Sequence, residues 1–82
     1  MAKMRILSMH GDTVVEWDTE KATEGDADSV KAVREAERIF KEARARGATA
    51  FRVDAPDKPA ERIDKFDRTA DQIIVVPRVA GG

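Results

Sequence analysis

The sequence predicts an α+β domain: a four- or five-stranded mixed sheet with one helix packed across it. Three observations carry the prediction. The chain has 82 residues, enough for one domain with one hydrophobic core. One segment, residues 29–47, shows helical apolar spacing and stands between segments rich in strand formers. A lone amphipathic helix has one apolar stripe, so it covers only one face of a sheet.

The elements follow in order. "KMRILSM" (3–9) is dense in strand formers, and "TVVEWD" (13–18) resumes that character after "HGDT". Gly11 and Asp12 are turn residues, so the two runs predict a β-hairpin. "TEKATEGDAD" (19–28) is polar, holds Gly25 and is short of apolar residues, which predicts a loop. Asp28 or Ser29 then caps the helix. In "SVKAVREAERIFKEARARG" (29–47), Val30, Val33, Ala36, Phe40 and Ala43 form the stripe, with Ile39 beside it. Arg44 and Arg46 complement the negative helix end, and Gly47 stops the helix.

"TAFRVD" (49–54) predicts a strand with Phe51 and Val53 on one side and Ala50 and Arg52 on the other. Phe51 is taken as the core-facing residue, so Phe40 and Phe51 are expected to share one core. Residues 55–71 hold two prolines, Pro56 and Pro59, and many charges. There Ile63 and Phe66, three apart, are expected to pin one helical turn to the core. "QIIVVPRV" (72–79) is the last strand, and its unbroken run Ile73–Val76 suits an internal position. Pro77 cannot donate a ladder hydrogen bond, so pairing is expected to fail from there.

A hairpin, a crossing helix and a centrally placed last strand make the β-grasp arrangement, with the first and last strands parallel in the middle. A different single-helix α+β sandwich is the alternative, since the order of elements does not fix strand order. The expected organisation is a domain over residues 1–77 and a flexible tail over 78–82.

Composition narrows the function. Net charge is −1, which supplies no global pull toward nucleic acid or an anionic membrane. Cysteine is absent, so there is no disulfide, thiolate metal site or thiol nucleophile. A reducing cytoplasm is the expected compartment. The longest apolar run, "IIVV", is far too short to span a membrane, and "MAKMRILSM" has no apolar signal region. His10, the only histidine, reads as a solvated turn residue. Glu16, Asp18, Glu20, Glu24, Asp26 and Asp28 lack calcium-loop spacing and read as acidic charge fed to a helix N-terminus. Arg34, Arg38, Lys41, Arg44 and Arg46 alternate with Glu35, Glu37 and Glu42. Without aromatic interleaving this is a solvated face, expected to carry Glu37–Lys41 and Glu42–Arg46 pairs. Trp17 reads as a core or sheet residue; on an uncovered face with Met4 or Ile6 it would mark a partner patch.

The tail "VVPRVAGG" (75–82) completes the pattern. The chain resembles the ubiquitin-like β-grasp proteins that end in Gly-Gly. Its tail is similar to that of the small subunit of molybdopterin synthase: Val75 and Val76 match the apolar pair, Pro77 the first proline, Val79 the valine, Ala80 the small residue, and Gly81 and Gly82 the glycines. Arg78 departs where a second proline is common. "TADQIIVV" also resembles the acidic turn before that family's last strand, with Asp71 as its acidic residue. The hairpin, the long helix and "AFRVDAPDKP" differ from that subunit's usual middle.

The resemblance implies a protein that is acted upon rather than an enzyme. A partner activating enzyme, using ATP and magnesium, would adenylate the Gly82 carboxylate, and the chain itself would bind no cofactor and no metal. The acyl group would then pass to a target nucleophile, with a conjugating enzyme and an isopeptidase as further partners. Gly81 gives clearance in the enzyme's channel, Pro77 stiffens the stem, and Arg78, Val79 and Ala80 present the tip. A protein modifier is the first reading, favoured by the differing body. A sulfur carrier, with Gly82 as a thiocarboxylate for molybdopterin or related cofactor biosynthesis, is the second. A plain interaction module is the third. The lysines 3, 21, 31, 41, 58 and 65 would permit self-conjugation.

Overall fold

The structure, a computed structural model, describes residues 1–8 and 11–78. Its elements are β1 (Ala2–Ile6), β2 (Thr13–Trp17), α1 (Thr19–Glu24), α2 (Ala27–Ala45), β3 (Thr49–Val53), β4 (Glu61–Ile63) and β5 (Gln72–Val76). The strands form one sheet in the order β2-β1-β5-β3-β4. β1 and β5 are parallel neighbours, while the β1–β2, β3–β5 and β3–β4 pairs are antiparallel. A parallel pair requires a crossover, and the chain makes it through α2. The hairpin and the internal, parallel last strand therefore stand as the sequence predicts.

The core lies between α2 and one face of the sheet. Ala2 and Met4 of β1, Trp17 of β2, Ala50 of β3, and Ile73 and Val75 of β5 point into it with Ala36 and Phe40 of α2. Their every-second-residue spacing on the strands is the pleat of a sheet covered on one side. Phe66 sits edge-on to Phe40, with ring centroids 5.8 Å apart, and tilted against Trp17 at 5.5 Å. The Trp17 indole N–H donates to the Arg68 carbonyl at 3.0 Å, so the buried ring leaves no polar atom unpaired. Trp17 and Met4 are thus core residues and mark no surface patch.

Five local expectations are corrected. Residues 19–28 are not all loop: α1 occupies Thr19–Glu24. The Asp18 carboxylate caps it by accepting from Lys21 N–H at 3.0 Å, and Gly25, at φ 90°, ends it in the left-handed conformation. Its one buried residue is Ala22, too few to register as a period.

The long helix runs over Ala27–Ala45 rather than 29–47, because Asp26 and not Asp28 or Ser29 is its N-cap. Asp26 accepts from Ser29 N–H at 3.0 Å, and that bond holds its carboxyl below the usual carboxylate range. Along the exposed face, Arg38 pairs with Glu35 and, at 2.8 Å, with Glu42. Glu42 thus pairs with Arg38 rather than with Arg46, and the expected Glu37–Lys41 pair does not form among the described residues.

Phe51 faces away from the core. It lies opposite Ile74 and Arg62 on the uncovered face, while Ala50 and Arg52 share the helix side. Phe40 therefore meets Phe66, not Phe51. Residues 61–63 form the edge strand β4 instead of a helical turn, although Ile63 and Phe66 do pack against the core.

Candidate functional site

The geometry of the candidate site begins with β5. It is the middle strand, flanked by β1 and β3, and it carries the chain out of the sheet toward the C-terminus. Its last ladder partner is Thr49, opposite Val76. Pro77, with no N–H, follows at once and is exposed, as is Arg78. Val79, Ala80, Gly81 and Gly82 lie outside the described residues, and so does the expected flexible tail except for Arg78. His10 lies outside them as well.

The turn beside this strand end is built by the C-terminus of α2. Gly47 adopts φ 94°. Its N–H donates to Arg44 C=O at 2.9 Å and that of Ala48 to Ala43 C=O at 3.0 Å. These two bonds are the Schellman closure, and the buried Ala48 packs below it. Arg44 braces the turn from outside, donating to the Ala48 carbonyl at 2.8 Å and reaching Asp64 at 3.2 Å. That is the helix-end role expected of Arg44.

The open sheet face carries a second group of residues that the sequence reading did not assemble. The pairing register lines up Val14, Arg5, Ile74, Phe51 and Arg62 across the five strands. Val14 is 44% exposed, and Ile74 and Phe51 are half-buried. Lys3 and Glu16 lie on the same face one pleat away. Among the described residues, Arg5 Nε is shielded from solvent with no hydrogen-bond partner and comes within 3.9 Å of Asp12. The face is apolar at its centre and basic on balance.

Clefts among the described residues are partly open to solvent. One, ≈ 630 Å³, lies between the helices and the 66–69 segment and includes Val30, Val33, Arg34, Phe66 and Arg68. Among the described residues, no three histidine, cysteine, aspartate or glutamate side chains group as metal ligands. Of the acidic residues in 16–28, Asp18 and Asp26 serve as caps. Among the described residues, no helix is long and apolar enough to cross a membrane.

The chain matches no protein-family model, no curated protein and no solved structure.

Proposed function

We propose that the protein is a ubiquitin-like modifier of β-grasp fold, activated at the Gly82 carboxylate by an ATP-dependent adenylating enzyme of the cytoplasm. One observation carries the reading: the central strand β5, parallel to β1, leads straight into "PRVAGG". The strand order β2-β1-β5-β3-β4 supports the β-grasp assignment, because the first and last strands are central neighbours joined through the helix.

A carboxylate does not acylate an amine at neutral pH, so it must first be activated. Adenylation joins the Gly82 carboxylate to the α-phosphate of ATP and releases pyrophosphate. A nucleophile then attacks the carbonyl, and AMP leaves. Gly81 has no Cβ to obstruct the enzyme's channel. The body contributes rigidity: β5 is hydrogen-bonded on both sides, so Pro77 and Arg78 start from a fixed base.

The tail's similarity to the molybdopterin synthase small subunit supports a second reading, a sulfur carrier in which Gly82 becomes a thiocarboxylate. One experiment separates the two. The protein is incubated with its native activating enzyme, ATP, magnesium and a soluble extract of its source cells that supplies acceptor proteins, and intact mass is recorded with and without a sulfur donor. A product heavier by a target protein identifies the modifier. A sulfur-for-oxygen exchange identifies the carrier.

Deleting Gly82 should abolish both products, while stability changes by less than about 0.5 kcal/mol, because a glycine has no side chain to bring to a core. Adducts formed at the wild-type rate without Gly82 would end the activated-tail reading in favour of an interaction module. The reading also needs a free carboxylate at Gly82, which the intact mass of the protein from its source cells checks.

A further inference from the structure

Arg78, the last described residue, does not stand clear of the domain. A Cβ placed on Gly47 would lie 3.1 Å from Arg78 Cδ, 3.6 Å from its Cβ and 3.9 Å from Nη1. The arginine stem thus runs along the side of Gly47 where any other residue would carry its side chain. The register explains the meeting. β3 and β5 last pair Thr49 with Val76, and the same alignment carried two residues outward sets Gly47 opposite Arg78. Pro77 ends the ladder, but side-chain packing continues its line.

Gly47 is a firm seat. The Schellman bonds hold it from the helix side, the buried Ala48 from below, and Arg44 through the Ala48 carbonyl. The last carbonyls of α2 carry the helix's partial negative charge, which favours a guanidinium nearby. Two separate constraints therefore fall on one glycine. The φ of 94° disfavours a side chain, and an added Cβ would press on the Arg78 stem at 3.1 Å and push it outward by a few tenths of an ångström.

We propose that Arg78 seated on Gly47 is a positioning residue for the terminal carboxylate. It fixes the point and heading from which the chain leaves the sheet. An activating enzyme would then have only the residues beyond Arg78 to order, and each ordered residue carries an entropy cost. This role rests on the activation reading; the seat itself does not.

The test has two arms, both on the full chain. The first is NMR of the free protein. The heteronuclear NOE of residue 78 should match those of the strands in wild type and in Arg78→Lys, with contacts from Arg78 Hδ to Gly47 Hα. It should fall below the strand values in Gly47→Asn, since asparagine tolerates a positive φ but brings a Cβ against the arginine stem. A residue 78 as mobile as a free terminus in wild type, or unmoved by Gly47→Asn, overturns the seat. Arg78→Ala leaves the Gly47 turn intact and guards against misreading a loosened turn.

The second arm is adduct formation with the native activating enzyme and ATP. Gly47→Asn and Arg78→Ala should each raise KM for the protein about tenfold at nearly constant kcat, with the double variant no worse than either. Arg78→Lys should recover most of the loss. If Arg78→Ala raises KM while Gly47→Asn does not, the enzyme recognises Arg78 directly and the positioning role is overturned. If wild type forms no adduct, the positioning role falls with the activation reading, and the seat is judged by NMR alone.

Discussion

On the helix side of β5, Ile73 and Val75 are fully shielded; one residue along, Ile74 and Val76 lie half-buried on the open face. The phenylalanines divide the same way. Phe40 is 2% exposed beneath the sheet, while Phe51 stays on the far side. The contrast shows that residue size does not decide which face of a strand becomes core. The large rings in the core come from α2, β2 and the segment before β5, as Phe40, Trp17 and Phe66. With that space filled, β3 contributes only Ala50, which is completely buried. A second phenylalanine there would overpack the layer.

The two phenylalanines give the largest test of this contrast. Phe40→Ala should destabilise by about 3–5 kcal/mol, because it leaves a cavity among fixed neighbours. Phe51→Ala should cost about 1–2 kcal/mol, since it removes half-buried area and leaves no enclosed void. Urea unfolding of both variants under one condition makes the comparison. Equal losses would mean that Phe51 is also core and the two faces are wrongly assigned.

Adjacent isoleucines on one strand sharpen it further. Ile73→Ala and Ile74→Ala share backbone, strand and neighbours in the chain, so propensity cancels between them. Ile73→Ala should cost about 2–4 kcal/mol and Ile74→Ala about 1 kcal/mol. A reversed order would turn β5 over and, with it, the whole register.

Much of this was legible beforehand, and the failures share a cause. The hairpin, α2, the Gly47 stop and the internal β5 were visible because each leaves a local pattern: turn residues, a helical period, a C-terminal glycine, an uncharged apolar run. α1 was missed because six residues with one buried alanine leave no period; only Asp18 and Gly25 marked its ends. β4 reads as a helical turn from sequence because Ile63 and Phe66 stand three apart, a spacing a short strand and its following bend also allow. The facing of β3 depends on which side α2 covers, and no pattern within "TAFRVD" states that. At the candidate site, the tail was plain in the sequence. The seat of Arg78 on Gly47 was not, because it follows from the β3–β5 register rather than from either segment alone.

The smallest expected effect lies where the covered face reaches its margin. Arg52 is on the helix side of β3, directly opposite the fully buried Ile73, yet it carries a charge. It is tolerated because its guanidinium pairs with Asp54 at 2.7 Å and with Asp67 at 2.9 Å. The Arg52 hydrogen bonds hold the Asp54 carboxyl below its ordinary range. Asp67 is lowered chiefly by the Thr69 hydroxyl, which donates to it at 2.6 Å, and then by the Thr69 N–H and Arg52. A carboxylate whose folded pKa is depressed adds stability that is complete above its unfolded pKa and lost as pH falls through the folded one. The thermal midpoint should therefore be nearly flat from neutral pH to about 5 and then decline below about 4, where unfolded aspartates take up protons. Asp67→Asn keeps an oxygen acceptor but removes the charge, so it should lower the midpoint slightly at pH 7 and make the acid decline shallower. The decline should persist in part, because Asp54 and the exposed Asp26 and Glu35 are lowered as well. Parallel profiles for wild type and Asp67→Asn below pH 4 would show that the charge at this margin is mere solvated surface. The covered face would then end at Ile73 and Ala50 rather than at the ion pairs of Arg52.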